Sequence, residues 1–188
     1  MRQDLLDKYH DINVDHDWYV WTLEDFASQM RDNYGVEVRN IHFSGFWSQG
    51  DGASFEVIYT DLWPVLGRLG LQDKYPAWSL GEHGFAVTRF AGSYTHRSNN
   101  MQCDVDASCD CGEEHRDVVY AAVSNEYCAI RATQLMALEG ELLSFFRDRA
   151  CELYKELEAE YEYLTSDEVV WGTIEANGLN EETEDETE

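Results

Sequence analysis

The chain has 188 residues, 44% of them apolar, with six Trp, eleven Tyr and eight Phe, so it can bury a core of its own and is too aromatic for a disordered chain. Its 38 acidic and 13 basic side chains leave a formal net charge of −25. A field of that sign repels polyphosphates and anionic lipid at long range, which argues against direct nucleic-acid or membrane binding and for a basic protein as partner. Two plainer readings of the charge stand beside that one: solubility, and adaptation to high salt, since only Lys8, Lys74 and Lys155 among the basic residues are lysines.

Residues 1–16 read as an N-terminal extension. Asp4, Asp7 and Asp11 interrupt any apolar run there, so neither a signal peptide nor a membrane anchor is expected, and the cytoplasm is the expected compartment. The five cysteines, at 103, 109, 111, 128 and 151, are odd in number and in a reducing compartment read as thiols.

From Asp17 to Asn33 the apolar residues Tyr19, Leu23, Phe26 and Met30 recur at helical steps, with Asp17 placed to cap the start and Asn33-Tyr34-Gly35 to end it. Val36 to Phe46 alternates as a strand with an irregularity near Asn40. Gly50-Asp51-Gly52 marks a turn, and Ala53 to Tyr59 returns as the second strand of a hairpin with a wide tip. Leu62 to Leu71 predicts a short helix with Pro64 tolerated in its first turn, and 72–83 reads as loop. Strand patterns follow at Phe85 to Ala91, Ser93 to His96, Met101 to Val105 and Asp117 to Val123. The last long element runs from Ile130 to Leu164, where Leu135, Leu138, Leu142, Phe146, Leu153, Leu157, Tyr161 and Leu164 keep the helical period with one gap at Arg149, and Gly140 is the point at which a bend would fall. Thr165-Ser166-Asp167-Glu168 has the spacing of a reciprocal capping box and predicts a further helix over 166–176, stopping at Asn177-Gly178. The expected fold is α+β: a mostly antiparallel four- to six-stranded sheet packed by an N-terminal helix and a long C-terminal amphipathic helix. It forms one domain over 17–177, followed by a disordered acidic tail over 178–188.

The segment Ile41-His42-Phe43-Ser44-Gly45-Phe46-Trp47-Ser48-Gln49-Gly50-Asp51-Gly52-Ala53-Ser54-Phe55-Glu56 resembles a family of small acidic proteins of bacteriophages and prophages, some labelled antitoxin-like. Asp17-Trp18-Tyr19, Gly92-Ser93-Tyr94-Thr95-His96 and Leu157-Glu158 through Glu168 resemble the same family in the same order. The resemblance implies a phage origin and a host bacterial cytoplasm, and it carries no chemistry. Two segments depart from it: Cys103 to His115, and the acidic tail.

Four features compete as sites. The Ser44 to Glu56 motif joins the aromatic pair Phe46-Trp47 to a Gly-Asp-Gly turn. It reads either as a partner loop carrying Trp47 and Asp51, or as a strained turn whose glycines bend while Trp47 and Phe55 fill core. Cys103, Cys109, Cys111 and His115 could together ligate a structural zinc, although their spacing departs from common zinc motifs and a solvated loop with free thiols explains them as well; otherwise no cofactor is expected. His42, His83 and His96 have no carboxylate at catalytic spacing, and no nucleophile or cofactor loop stands out.

The fourth feature is the acidic C-terminal part. From Glu139 to Glu188 seventeen acids face three bases. Glu152, Glu156 and Glu160 stand four apart, about 6 Å per step along a helix, a pitch approaching the roughly 3.4 Å charge spacing of a nucleic-acid strand. With Asp167 and Glu168 they form the candidate electrostatic surface, against the alternative of an ordinary solvated helix face.

These readings converge on a non-enzymatic phage inhibitor that binds a basic host protein, one that defends the cell or processes nucleic acid, with nucleic-acid mimicry as the candidate mode of binding. Two alternatives stay open: an antitoxin-like protein neutralising a basic toxin, and a small-ligand or metal-dependent enzyme built on the histidines and the cysteine loop.

Overall fold

The computed structural model describes residues 2–57, 61–79, 85–90, 97–106 and 126–179. The chain divides into two compact units, Glu24–Tyr154 and a smaller one made of Met1–Leu23 with Lys155–Glu188. The smaller unit opens with helix α1, Arg2–Lys8.

The larger unit begins within helix α2, Val20–Gln29, whose spacing carries Phe26 and Met30 into the core. The helix widens into a π-helical turn at Met30–Tyr34 and ends at Gly35, where a left-handed φ of 69° lets Gly35 N–H reach the Arg31 carbonyl and Val36 N–H the Met30 carbonyl. The Arg68 guanidinium donates to the carbonyls of Arg31 (3.2 Å) and Asp32 (3.3 Å), so the helix end is held by a side chain from far along the chain. The predicted stop is therefore observed, although the regular helix is shorter than 17–33 and its exit is π-helical.

Strands β1 (Val38–Phe43) and β2 (Ala53–Val57) pair antiparallel. One extra residue on β1 between Arg39 and His42 forms a bulge where Asn40 takes φ 48° and bonds Glu56. This is the irregularity that the sequence pattern indicates near Asn40. The two strands meet different surroundings: β2 buries Ala53, Ser54, Phe55 and Val57, while β1 exposes Arg39, Asn40 and His42 as an edge does. Phe55 meets the rings of Phe26 (5.3 Å) and Phe146 (6.1 Å).

Helix α3, Leu62–Arg68, starts as its sequence requires, with the Asp61 carboxylate accepting from Trp63 N–H and Pro64 in the first turn. It buries Leu62, Val65 and Leu66. A short 3-10 helix, Pro76–Ser79, forms inside the stretch expected to be loop. Strands β3 (Phe85–Phe90) and β4 (Met101–Asp106) make the second antiparallel pair, with Phe85 opposite Asp106 and Phe90 opposite Met101.

Helix α4, Glu126–Leu164, starts four residues before the predicted Ile130 and runs through Gly140 as one 39-residue element. The apparent gap in its apolar stripe at Arg149 is closed by Ala150, which is fully buried between the turns of Phe146 and Leu153. Alanine carries too little hydrophobic signal to show in the pattern, yet its small side chain continues the buried stripe.

The smaller unit combines α1 with the last turns of α4 and α5 (Asp167–Ala176). Leu5 and Leu6 pack with Val170 and Ile174, flanked by Tyr9, Ile12, Trp171 and Leu179. Asn13 joins the pieces: its amide donates to the Leu164 carbonyl at 3.1 Å and its oxygen accepts from the Thr173 hydroxyl at 2.7 Å.

Four expectations need correction. The four- to six-stranded sheet is, among the described residues, two antiparallel pairs in a mixed α/β fold dominated by helix; β1 is a bulged, exposed edge, and the strands expected at 93–96 and 117–123 lie outside the described residues. The 1–16 extension contains α1. The capping box does not form, because the Thr165 and Ser166 hydroxyls donate backwards to the carbonyls of Tyr161 (2.8 Å) and Tyr163 (2.7 Å) and so serve the end of α4. Leu179, assigned to the tail, packs on the α1–α5 core. Among the described residues no helix is long and apolar enough to cross a membrane.

Candidate functional site

The tip of the β1–β2 hairpin is a closed loop. Ser44 N–H donates to the Gly52 carbonyl and Gly52 N–H donates back to the Ser44 hydroxyl, both at 3.1 Å. Inside that clasp the Asp51 carboxylate accepts from Ser48 N–H at 2.6 Å, and Asp51 N–H donates to the Ser48 carbonyl. Asp51 is thus half-buried and committed to the turn. Phe46 is held by rings on three sides, Phe43 (6.2 Å), Trp47 (5.7 Å) and Tyr154 (5.5 Å), and the Tyr154 hydroxyl donates to the Gly45 carbonyl at 3.4 Å.

Trp47 itself is 69% exposed and sits at φ 68°, in the left-handed region. That conformation costs a residue with a Cβ about 1–2 kcal/mol. The reading of Trp47 as core filler is therefore overturned, whereas Phe55, its companion in that reading, is buried.

The proposed electrostatic residues are distributed unevenly. Glu152 and Glu156 are exposed and Glu160 is partly covered, all on α4. Glu152 is paired to Arg149 through two contacts of 2.5 and 2.6 Å, and that guanidinium lies over the rings of Tyr34 and Phe145. Its charge is therefore largely answered within the chain, and the stripe is weaker at Glu152 than the spacing alone suggests. Asp167 and Glu168 are exposed in the first turn of α5, where carboxylates complement the positive end of the helix dipole.

By sequence the smaller unit holds eighteen acids and three bases, against twenty and ten in the larger. Two of those three bases rest on aromatic faces: Arg2 over Trp171 at 4.6 Å and Lys8 over Tyr9 at 4.9 Å.

Of the zinc candidates, Cys103 lies on β4 with its side chain buried; burial, reinforced by the charges of Glu139 and Asp104, pushes that thiol up to about 12. Cys109, Cys111 and His115 lie outside the described residues, as do His83 and His96. Among the described residues no three potential ligands gather around a common point. His42 is exposed on β1.

A polar cluster that the sequence does not signal joins Lys74, Tyr75 and Glu141. The Glu141 carboxylate accepts from the Tyr75 hydroxyl at 2.8 Å and also from the Lys74 ammonium. The Lys74 hydrogen bond, opposed by desolvation and assisted by Tyr75, holds Glu141 below the ordinary carboxylate range. Its members are 66 and 67 positions apart, so no local pattern announces them.

Fold and surface together define a helix-dominated, strongly acidic α/β protein with an aromatic hairpin tip. Residues 18–167 match a domain-of-unknown-function family, DUF8835, and the chain belongs to it. No curated protein and no solved structure matches the chain.

Proposed function

We propose that this chain is a non-enzymatic, phage-encoded acidic inhibitor that occupies the nucleic-acid-binding surface of a host protein engaged in defence or in processing DNA or RNA. One observation carries the reading: by sequence the acid is concentrated in the smaller unit, eighteen carboxylates against three cations, and among its described residues Asp4, Asp7, Asp11, Asp15, Asp17, Glu156, Glu162, Asp167, Glu168 and Glu175 are exposed. A folded polyanion of this kind gains affinity for a Lys- and Arg-lined cleft by releasing the cleft's counterions, and gains association rate by electrostatic steering. The phage assignment rests on the resemblance of the 41–56 segment, and it implies a target in the bacterial cytoplasm.

The test is capture on the immobilised chain from a bacterial lysate, with elution along a salt gradient and a parallel elution by duplex DNA. A single nuclease, helicase, polymerase or defence protein that elutes at a defined high salt and is displaced by DNA supports the reading. Retention of nothing specific, or of a partner that DNA leaves in place, overturns it, and a small basic toxin as the captured partner would replace it with the antitoxin alternative.

A further inference from the structure

We infer that Trp47 is an apolar anchor, displayed by the hairpin tip for insertion into a pocket on the same basic protein partner; the inference rests on the proposed function for the partner's charge. Other large apolar side chains are also exposed, Trp21, Met136 and Tyr163 among them, but they stand on helices, where single exposed apolar residues are common. Trp47 differs in that its backbone is left-handed as well, at a position where Gly or Asn would sit without strain. A strained backbone and an exposed indole are two separate costs at one residue, set against the contact that one side of the ring makes with Phe46 at 5.7 Å.

The loop is nonetheless built to hold that arrangement. Five hydrogen bonds, three between Ser44 and Gly52 and two between Ser48 and Asp51, close it on both sides of Trp47, and Phe46, packed on Phe43 and Tyr154, fixes the base from which the indole projects. A large ring already ordered in its bound position loses little entropy on docking, which is the character of interface anchors. Charge selects the occupant. A second copy of a chain of net charge −25 is repelled, as is an anionic lipid surface, whereas a basic protein is attracted, and one presenting an apolar pocket is the occupant that the field favours.

Two variants, Trp47→Asn and Trp47→Phe, test this against the partner captured from lysate and then purified. W47N is expected to melt within about 4 °C of the parent chain, since relief of the left-handed strain offsets loss of the ring contact with Phe46. Its affinity should fall about tenfold or more at every salt concentration, with the slope of log affinity against log salt unchanged because no charge is removed. W47F should keep part of the affinity. If W47N binds like the parent chain, the anchor is wrong while the electrostatic reading stands. If binding is insensitive to salt yet lost in W47N, the polyanion reading fails and the anchor survives. A W47N chain that melts well below the parent places Trp47 in the structure and overturns the inference, and a lysate that yields no partner removes both.

Discussion

Arg147 ties the strand region of the larger unit to α4, and its replacement by Met should cost more than any single surface change. Its guanidinium donates to three carbonyls, those of Ser98 (3.2 Å), Asn99 (2.9 Å) and Met101 (3.0 Å). The first two belong to a 3-10 helix, Arg97–Asn100, and the third to the first residue of β4. Ser98 and Met101 are almost completely buried, so carbonyls that lose their donor there cannot all turn to water. Methionine keeps the aliphatic stem and removes only the donors. Hydrogen bonds from a charged donor contribute about 1.5–3 kcal/mol each, and because three of them share one guanidinium they do not add; a total of about 3 kcal/mol follows. For a chain of this length that lowers the melting temperature by about 6–12 °C. Thermal unfolding followed by circular dichroism reads the shift, and amide hydrogen exchange over 97–106 should rise in the same variant. Arg147→Lys should fall between the two, since a single ammonium cannot span three carbonyls. A melt within about 2 °C of the parent, with exchange unchanged, would refute the reasoning and assign the attachment to packing of Met101 alone.

Glu141→Gln should destabilise the chain by about 1 kcal/mol near neutral pH through loss of the charged acceptor for Lys74 and Tyr75. Because Glu141 is held below its ordinary range in the folded chain, its contribution is present above the unfolded value and lost as pH falls through the folded one, so urea midpoints of the two chains should converge in acid; a difference that persists there rejects the ionic account. Gly35→Ala places a Cβ 3.0 Å from the Arg68 Nη1 atom at φ 69°, and about 2 kcal/mol should be lost in urea unfolding. Replacing Glu152, Glu156 and Glu160 with Lys should weaken capture of the partner and flatten its salt dependence by about 2–3 units of slope; equal affinity would remove α4 from the interface. Cys103, buried and with its thiol raised to about 12, should resist alkylation in the folded chain at mildly alkaline pH and react once urea unfolds it, as mass spectrometry of the modified peptide would record.

Local signals were readable where a period or a stop is written into neighbouring residues. The steps from Leu135 to Leu157 give α4, Phe26 and Met30 give the buried face of α2, Pro64 sits where a first turn tolerates it, and Asn40 falls at the bulge. The failures have a common cause in partners distant along the chain. Leu5 and Leu6 are too few to announce α1, and they become core only against Val170 and Ile174. Thr165 and Ser166 have the spacing of a cap but find the carbonyls of α4 nearer. For the candidate site, the motif at 41–56 was legible as a unit, but the fates of its members were not: Asp51 turned inward to the Ser48 amide and Trp47 outward, and alternation along a strand does not reach into a loop tip.

The uneven placement of charge bears on why the chain is so acidic. Solubility requires net charge but is indifferent to its location, and adaptation to high salt calls for acids over all the exposed surface. The larger unit keeps ten basic residues, and several act inside it: Arg68 on the end of α2, Lys74 on Glu141, Arg147 on the β4 carbonyls and Arg149 on Glu152. The smaller unit keeps three, and two of those lie over aromatic rings. Cations are thus retained where they hold structure together and are scarce where they would neutralise a surface. Neither solubility nor salt adaptation requires that division, whereas a surface that competes with nucleic acid for a basic cleft does.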